Sequence, residues 1–162
     1  MASFKGKYLT TIYYKRCIKL PKKLRAVMPS LPNDGFVIGP GYDDCIFLFT
    51  ADEWAKQEEK LKTLTPDLAE HRFYERVFVP ESEDVTIDRV GRLTIPEELQ
   101  ERAQIIKEVL ILGVLSRIEL WSPEVYKKYR QQRKESYEEV AEKIFKAKEK
   151  GETGEGKNHS LP

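Results

Sequence analysis

Acidic residues are missing from the first 33 positions of this chain, which carry eight cations: Lys5, Lys7, Lys15, Arg16, Lys19, Lys22, Lys23 and Arg25. The acids are concentrated later, so a formal net charge of +1 hides a locally positive segment. Such a segment can attract phosphates even when the whole chain is near neutral; the alternative is a solvated face that only maintains solubility. Long apolar runs are also missing. No stretch approaches the ~18 apolar residues of a membrane span, and Met1–Gly6 has no apolar core of the kind a signal peptide needs. A soluble cytoplasmic protein without a membrane partner is expected. Cysteine is scarce, with only Cys17 and Cys45. Their separation forms no metal-ligand pattern, so both are expected as reduced thiols. Histidine is limited to His71 and His159, which are far apart and lack ligand partners, so no metal or other cofactor is expected. No Gly-x-Ser-x-Gly occurs, and Cys17 has no histidine partner in reach of sequence reasoning. The chain therefore reads as a non-enzyme without a small-molecule substrate.

What the chain does have is a repeat. Ile18-Lys19-Leu20-Pro21-Lys22-Lys23-Leu24 has the same pattern as Leu93-Thr94-Ile95-Pro96-Glu97-Glu98-Leu99, 75 positions later. Cys45-Ile46-Phe47-Leu48-Phe49-Thr50 is echoed by Arg117-Ile118-Glu119-Leu120-Trp121-Ser122 at an offset of 72. Two matches in order, with only the spacer drifting, predict two copies of one small module packed as an internal pseudo-dimer. Two-fold modules suit two-fold or tandem partners, of which duplex DNA is the commonest.

Local patterning divides each copy into the same parts. Strands are expected over 7–14 and 16–20, and Pro21 fits the first turn of a short helix over 22–28. Pro29–Gly35 reads as a loop, followed by strands 36–39 and 45–49 around a Pro40–Asp44 turn. Thr50-Ala51-Asp52-Glu53 is a capping box that opens a helix to about Leu64. A second helix spans Pro66 to Phe78, and Pro80–Asp84 is a loop. The second copy then has strands 85–88 and 92–95, a short helix from Pro96, strands 109–112 and 118–121, and one last helix from Pro123 through Phe145. The fold class is mostly β with α (α+β). It is expected as two tandem ββαββ-type repeats whose hairpins interleave into one closed barrel, which would remove exposed sheet edges. The divisions are 4–64 for the first repeat, 65–79 for a connecting helix, 80–145 for the second repeat with its C-terminal helix, and 148–162 for a disordered tail.

The chemistry concentrates in Asp88-Arg89-Val90-Gly91-Arg92. Asp88 can accept backbone amides two or three residues on, and Gly91 can take the left-handed position that closes a short hairpin. Both are turn-shaping residues. Arg89 and Arg92 are not required by the turn. A guanidinium held at the base of a rigid turn can meet a phosphate or a base edge, or it can pair internally with Asp88.

These residues resemble those of the MraZ family. The resemblance runs through Phe4-x-Gly6, Ile18-x-Leu20-Pro21-x-x-Leu24-Arg25, Cys45-x-x-Leu48 and Glu53-Trp54. It continues through Asp88-x-x-Gly91-Arg92-Leu93-x-Ile95-Pro96, Lys107 to Gly113 and Ile118-Glu119-Leu120-Trp121. It covers residue 4 to about 130. It implies a sequence-specific DNA-binding transcriptional regulator of the bacterial division and cell-wall gene cluster. It also implies the swapped-hairpin fold shared with AbrB-type domains, and ring-like homo-oligomers that engage repeated promoter elements by multivalency. One departure stands out. The family carries its Asp-x-x-Gly-Arg turn in both halves, but the first half here reads Tyr13-Tyr14-Lys15-Arg16-Cys17. Arg16 in a left-handed position costs about 1 kcal/mol or more, so a changed turn shape is expected there. Lys15 and Arg16 keep the positive charge, and the candidate DNA-binding residues are Lys15, Arg16, Arg89 and Arg92. The altered turn also motivates a rival reading, an oligomeric protein-interaction scaffold with weakened or lost DNA binding. Tyr8, Tyr13 and Tyr14 could stack on bases or serve as core or rim. Gly151–Asn158 approaches a phosphate-loop pattern, but has Asn158 where Ser or Thr is needed.

Overall fold

The structure is a computed structural model that describes residues 3–28 and 35–158. Residues 29–34 of the expected Pro29–Gly35 loop, and His159, lie outside the described residues. The chain divides into two units, residues 1–127 and 128–162.

In the first unit the elements run β1 (Lys7–Thr11), β2 (Cys17–Lys19), α1 (Lys22–Arg25), β3 (Phe36–Pro40), β4 (Ile46–Thr50), α2 (Ala51–Leu61), α3 (Ala69–Glu81), β5 (Glu83–Val85), β6 (Arg92–Thr94), α4 (Glu97–Arg102), β7 (Glu108–Val114) and β8 (Arg117–Trp121). Six strands form an antiparallel sheet in the order β1-β7-β8-β4-β3-β5, and β2 pairs with β6 in a separate two-stranded ribbon. The sheet is open. Strands β1 and β5 each pair on one side only, which corrects the expectation of a closed barrel. The physical reason is that β2 and β6 pair with each other instead of bridging the two edges.

The strand order reads the same when the halves are exchanged. β1 of the first half joins β7 of the second, and β5 of the second joins β3 of the first. Both offsets seen in sequence recur in the register. Ile18 faces Leu93 in the ribbon, and Phe47 faces Glu119 in the sheet. Each of these residues is paired with its own counterpart.

Strand alternation sends side chains to two different cores. Ile38, Ile46, Leu48, Ile111, Ile118 and Leu120 face the ribbon and the short helices, where they bury Ile18, Leu20, Leu24, Leu93, Ile95 and Leu99. The other face carries Phe47, Phe49 and Trp121, packed with Trp54 of α2 and Phe78 of α3. Rings there meet at 5.1 to 6.4 Å, including Phe49 against Phe78 edge to face. Such pairs favour tilted and edge contacts because ring faces and edges carry opposite partial charge.

Helix starts follow their caps. Thr50 Oγ1 accepts the Glu53 N–H at 3.3 Å, as the capping box requires. Helix α3 runs past Pro80 to Glu81, and β5 follows at once, where a loop over Pro80–Asp84 was expected. Proline near a helix end loses only one intrahelical bond, and Ser82 Oγ donates to the Phe78 carbonyl at 2.5 Å in the same turn.

The second unit continues α5 (Pro123–Gln132) and holds α6 (Tyr137–Asn158). The single last helix expected from sequence is therefore two. The break at 133–136 has a cause: Ser136 Oγ accepts the Glu139 N–H at 3.1 Å and opens a new helix. The sequence signal, Ser136-x-x-Glu139, has capping-box spacing. Helix α6 extends to Asn158, where disorder from 148 was expected. Lys and Glu at helical spacing, such as Lys146 to Glu142 at 3.1 Å, favour helix over coil. The phosphate-loop-like Gly151–Asn158 segment lies within this helix.

Candidate nucleic-acid interface

The ribbon is the part of the molecule where cations, turns and symmetry meet. Its three pairs are Cys17 with Thr94, Ile18 with Leu93, and Lys19 with Arg92. Alternation buries Ile18 and Leu93 and leaves Cys17 partly exposed beside exposed Lys19, Arg92 and Thr94. The turn over 13–17 enters at one end of the ribbon, and the turn over 88–92 enters at the other. Exposed Lys15, Arg16 and Arg89 lie on these turns, so five cations flank or occupy one short ribbon.

The second turn is built as its sequence predicts. Asp88 Oδ1 accepts the N–H groups of Val90 at 3.0 Å and Arg92 at 2.8 Å. The Gly91 N–H donates to the Asp88 carbonyl at 3.0 Å, with Gly91 at φ +89°. Arg92 also pairs with Asp88, Nε to Oδ2 at 2.5 Å. Of the two readings left open for Arg92, the internal ion pair is thus present in the free protein. It occupies the Nε edge of the guanidinium. The fork formed by Nη1 and Nη2 is the edge that suits bidentate contact with an outside acceptor. The Arg92 backbone N–H, then its side chain and the Val90 N–H, hold the Asp88 carboxyl below the ordinary carboxylate range. Arg92 is correspondingly held above its usual value by Asp88.

The first turn has changed shape, as the loss of both shaping residues predicts: it carries two consecutive left-handed residues, Lys15 and Arg16, where the second turn has only Gly91. Tyr13 and Cys17 exchange backbone bonds at 2.9 and 3.1 Å. Lys15 and Arg16 sit at φ 50° and 60°, both left-handed without glycine. Each such residue costs roughly 1–2 kcal/mol, so the surroundings must hold them.

That support comes from across the repeat. The Leu20 N–H donates to the Gly91 carbonyl at 2.8 Å, and the Ile95 N–H donates to the Arg16 carbonyl at 2.9 Å. The return contacts differ. Arg25 Nε donates to the Leu20 carbonyl at 3.1 Å, and its Nη1 reaches the Arg89 carbonyl at 3.3 Å. A Cβ on Gly91 would lie 2.3 Å from Arg25 Cδ, so the glycine also makes room for Arg25. In the other half, Arg16 itself donates Nε to the Ile95 carbonyl at 3.2 Å. One half caps its carbonyl with a helix arginine over a glycine, and the other caps it with an arginine in the glycine's place. Gln100, counterpart of Arg25, is released to bond the Ile105 carbonyl at 3.0 Å.

The structure thus brings Lys15, Arg16, Arg89 and Arg92 to one ribbon, with Asp88 and Gly91 beneath Arg92. Sequence reasoning missed Lys19 and Thr94 as members of that surface, although strand alternation around Ile18 and Leu93 signals both. It missed the role of Arg25 entirely, because its partners lie 64 residues away in the chain or follow from the fold. Of the tyrosines, Tyr13 and Tyr14 are exposed on the first turn, whereas Tyr8 packs against the core. His71 Nδ1 accepts the Thr65 N–H at 3.0 Å. Among the described residues no group of His, Cys, Asp or Glu could hold a metal ion, and no helix is long and apolar enough to cross a membrane.

A family model described as "MraZ protein, putative antitoxin-like" matches residues 78–148. The chain is 37% identical over 139 residues to the "Transcriptional regulator MraZ" of Caldanaerobacter subterraneus subsp. tengcongensis, covering 86% of this chain and 94% of that protein. It is also 37% identical over 142 residues to the protein of the same description from Heliobacterium modesticaldum, covering 88% and 96%. A third such relative, from Thermoanaerobacter pseudethanolicus, is 37% identical over 139 residues.

Proposed function

The chain belongs to the MraZ family, and we propose that it is a sequence-specific DNA-binding transcriptional regulator rather than an enzyme. The relatives are described as transcriptional regulators. The observation that carries the reading is the ribbon surface, where exposed Lys19 and Arg92 lie side by side between turns bearing Lys15 and Arg89. A two-stranded ribbon fits the major groove of duplex DNA. In this reading Arg92 reads a base edge through its Nη fork, and Arg89 adds a second contact from the same turn. Lys15 supplies phosphate attraction, with Lys19 beside it. Arg16 contributes charge while its Nε stays on the Ile95 carbonyl.

Family membership extends the reading to ring-like homo-oligomers on repeated promoter elements of the division and cell-wall gene cluster. Linked weak modules gain avidity without new contact types. Within each chain, residues 4–64 and 80–145 act as two copies of one module joined by the 65–79 segment. The site of action is the nucleoid. No cofactor, metal or small-molecule substrate enters the mechanism.

The experiment is selection of duplexes from a random pool, followed by anisotropy titrations over a salt series with wild type and Arg92→Ala. The variant should lose roughly 1–3 kcal/mol and relax preference at one position. Unchanged affinity and preference in a folded Arg92→Ala protein would reduce Arg92 to an ion-pair partner. A second reading, an oligomeric scaffold without DNA affinity, is favoured by the internal bonds of Arg16 and Arg92. Salt-independent behaviour toward every duplex would support it.

A further inference from the structure

The two repeats carry opposite charge on the short helices that follow the ribbon strands. Helix α1 starts after Pro21 and α4 after Pro96, both prolines at φ −58°. Leu24 and its counterpart Leu99 are buried, at 1% and 2% exposure. On the exposed side, Lys22 and Lys23 stand where the second repeat has Glu97 and Glu98. Glu101 adds a third exposed acid to α4, and the cation of that helix, Arg102, lies 3.8 Å from Glu81. The acids fit helix chemistry, because carboxylates near a helix start meet the positive end of the backbone dipole. The lysines oppose it, so the local helix gives no reason for them. Each helix also adjoins one turn of the ribbon. Arg25 of α1 donates Nη1 to the Arg89 carbonyl at 3.3 Å, which ties α1 to the turn bearing Arg89 and Arg92. Arg16 donates Nε to the Ile95 carbonyl at 3.2 Å, two residues before α4 begins, so the acidic helix adjoins the turn bearing Lys15.

We propose that the phosphate backbone of a bound duplex runs along α1 and not along α4, with Lys22 and Lys23 as phosphate contacts. The inference rests on the DNA-binding reading above and says which end of the pseudo-dimer carries it. The groups suited to bases and the groups suited to phosphates are contiguous at one end only. There Asp88 shapes the turn under Arg92, Lys19 pairs beside Arg92 in the ribbon, and Lys22 and Lys23 continue the positive surface onto α1. At the other end Glu97, Glu98 and Glu101 offset Lys15 and Arg16, and a phosphate laid over α4 would meet carboxylates. Charges act over about 10 Å at 0.1 M salt, so the local sign decides where phosphates sit, and the near-zero net charge of the chain does not. Lys15 is then the weaker phosphate partner. A consequence is polarity. A chain that is two-fold in backbone and one-sided in charge sits on its element in one orientation.

The test compares Lys22→Ala with Lys23→Ala in one protein and Glu97→Ala with Glu98→Ala in another. Each is titrated by anisotropy over a salt series, on the enriched duplex and on a scrambled one, and its assembly mass is measured by light scattering. All four positions are exposed, and far-UV circular dichroism checks each fold. The lysine variant should bind both duplexes more weakly by the same factor and keep its preference between them. Its log affinity should fall less steeply with log salt, by about 1.8 in slope, or about 0.9 for each phosphate contact. The glutamate variant should bind both duplexes at least as tightly as wild type, with no loss of slope. A folded lysine variant with the wild-type slope would overturn this inference and leave the DNA-binding reading standing. So would a glutamate variant that weakens as the lysine variant does. A lighter assembly in the lysine variant would also overturn it, and would assign α1 to the acidic α4 of a second copy. Absence of duplex binding by wild type would overturn both readings.

Discussion

Ile18 and Leu93 lie opposite each other in the ribbon, and each occupies in its own repeat the position the other occupies in the second. Both are fully buried, at 0% and 2% exposure. Residues on an internal two-fold axis support both halves at once. Leu93→Ala and Ile18→Ala should therefore each destabilise the protein by about 2–5 kcal/mol, the range for truncating a buried aliphatic side chain. The double variant should cost less than the sum, since the two share one cavity. Urea titrations followed by far-UV circular dichroism would measure this, and strict additivity would argue against a shared axis.

Gly91 and Arg16 should respond oppositely to exchange. Gly91→Ala places a methyl group against Arg25 in a left-handed turn. It should cost roughly 2–3 kcal/mol, from backbone strain and a lost hydrogen bond. Adding Arg25→Ala should recover the clash but not the strain. Arg16→Gly relieves a left-handed residue and loses the bond to the Ile95 carbonyl, so its stability should stay within about 1 kcal/mol of wild type. Thermal unfolding of the four proteins would test the asymmetry.

Acid should act on the second turn through Asp88. Its carboxyl is held below the usual range, first by the Arg92 backbone N–H. A carboxylate lowered in the folded state contributes stability above its unfolded value and loses it as pH falls through the folded value. Asp88→Asn should thus lower stability at neutral pH and flatten the acid limb of the pH–stability curve, the two proteins converging as pH falls. Urea midpoints across the acid range would show this, together with a carboxyl titration by NMR. Identical acid limbs in the two proteins would rule out the linkage.

Glu119, 8% exposed, accepts the Trp121 indole N–H at 3.0 Å and Arg117 Nε at 2.9 Å. Arg117 in turn lies 4.9 Å over the Phe47 ring. Removing the carboxylate strands an indole donor beside a half-buried guanidinium. Glu119→Ala should cost about 1–3 kcal/mol and shift tryptophan emission, while Glu119→Gln should preserve most of both. An Ala variant as stable as wild type would show that the acid is dispensable.

The two thiols should differ sharply. Burial, and then the nearby Glu119 charge, push the Cys45 thiol far up. Thiolate is the reactive form, so Cys45 should stay unmodified by iodoacetamide in the native protein while Cys17 reacts. Mass spectrometry of peptides after timed alkylation would separate them. Equal rates would mean that the sheet opens around Cys45 faster than alkylation.

Much of this molecule was legible along the chain. The offsets of 75 and 72 marked Ile18 and Leu93, and Phe47 and Glu119, as counterparts, and the structure pairs each with the other. Asp88 and Gly91 announced their turn, and Thr50 its helix, since these signals act within a few residues. The broken last helix was also encoded locally, in Ser136 and Glu139, but a continuous apolar and charged pattern masked it. What only the tertiary structure decided lies between the halves. An open sheet rather than a closed barrel depends on β2 choosing β6 as its partner, which no local pattern specifies. The first turn holds two left-handed residues without glycine because the Ile95 backbone bonds Arg16 from 79 residues away. Arg25 takes its place over Gly91 for the same reason. Contacts of that separation form only once the repeats have paired, and so the chain alone could name the cations of the ribbon, Lys19 excepted, but not say which were already engaged.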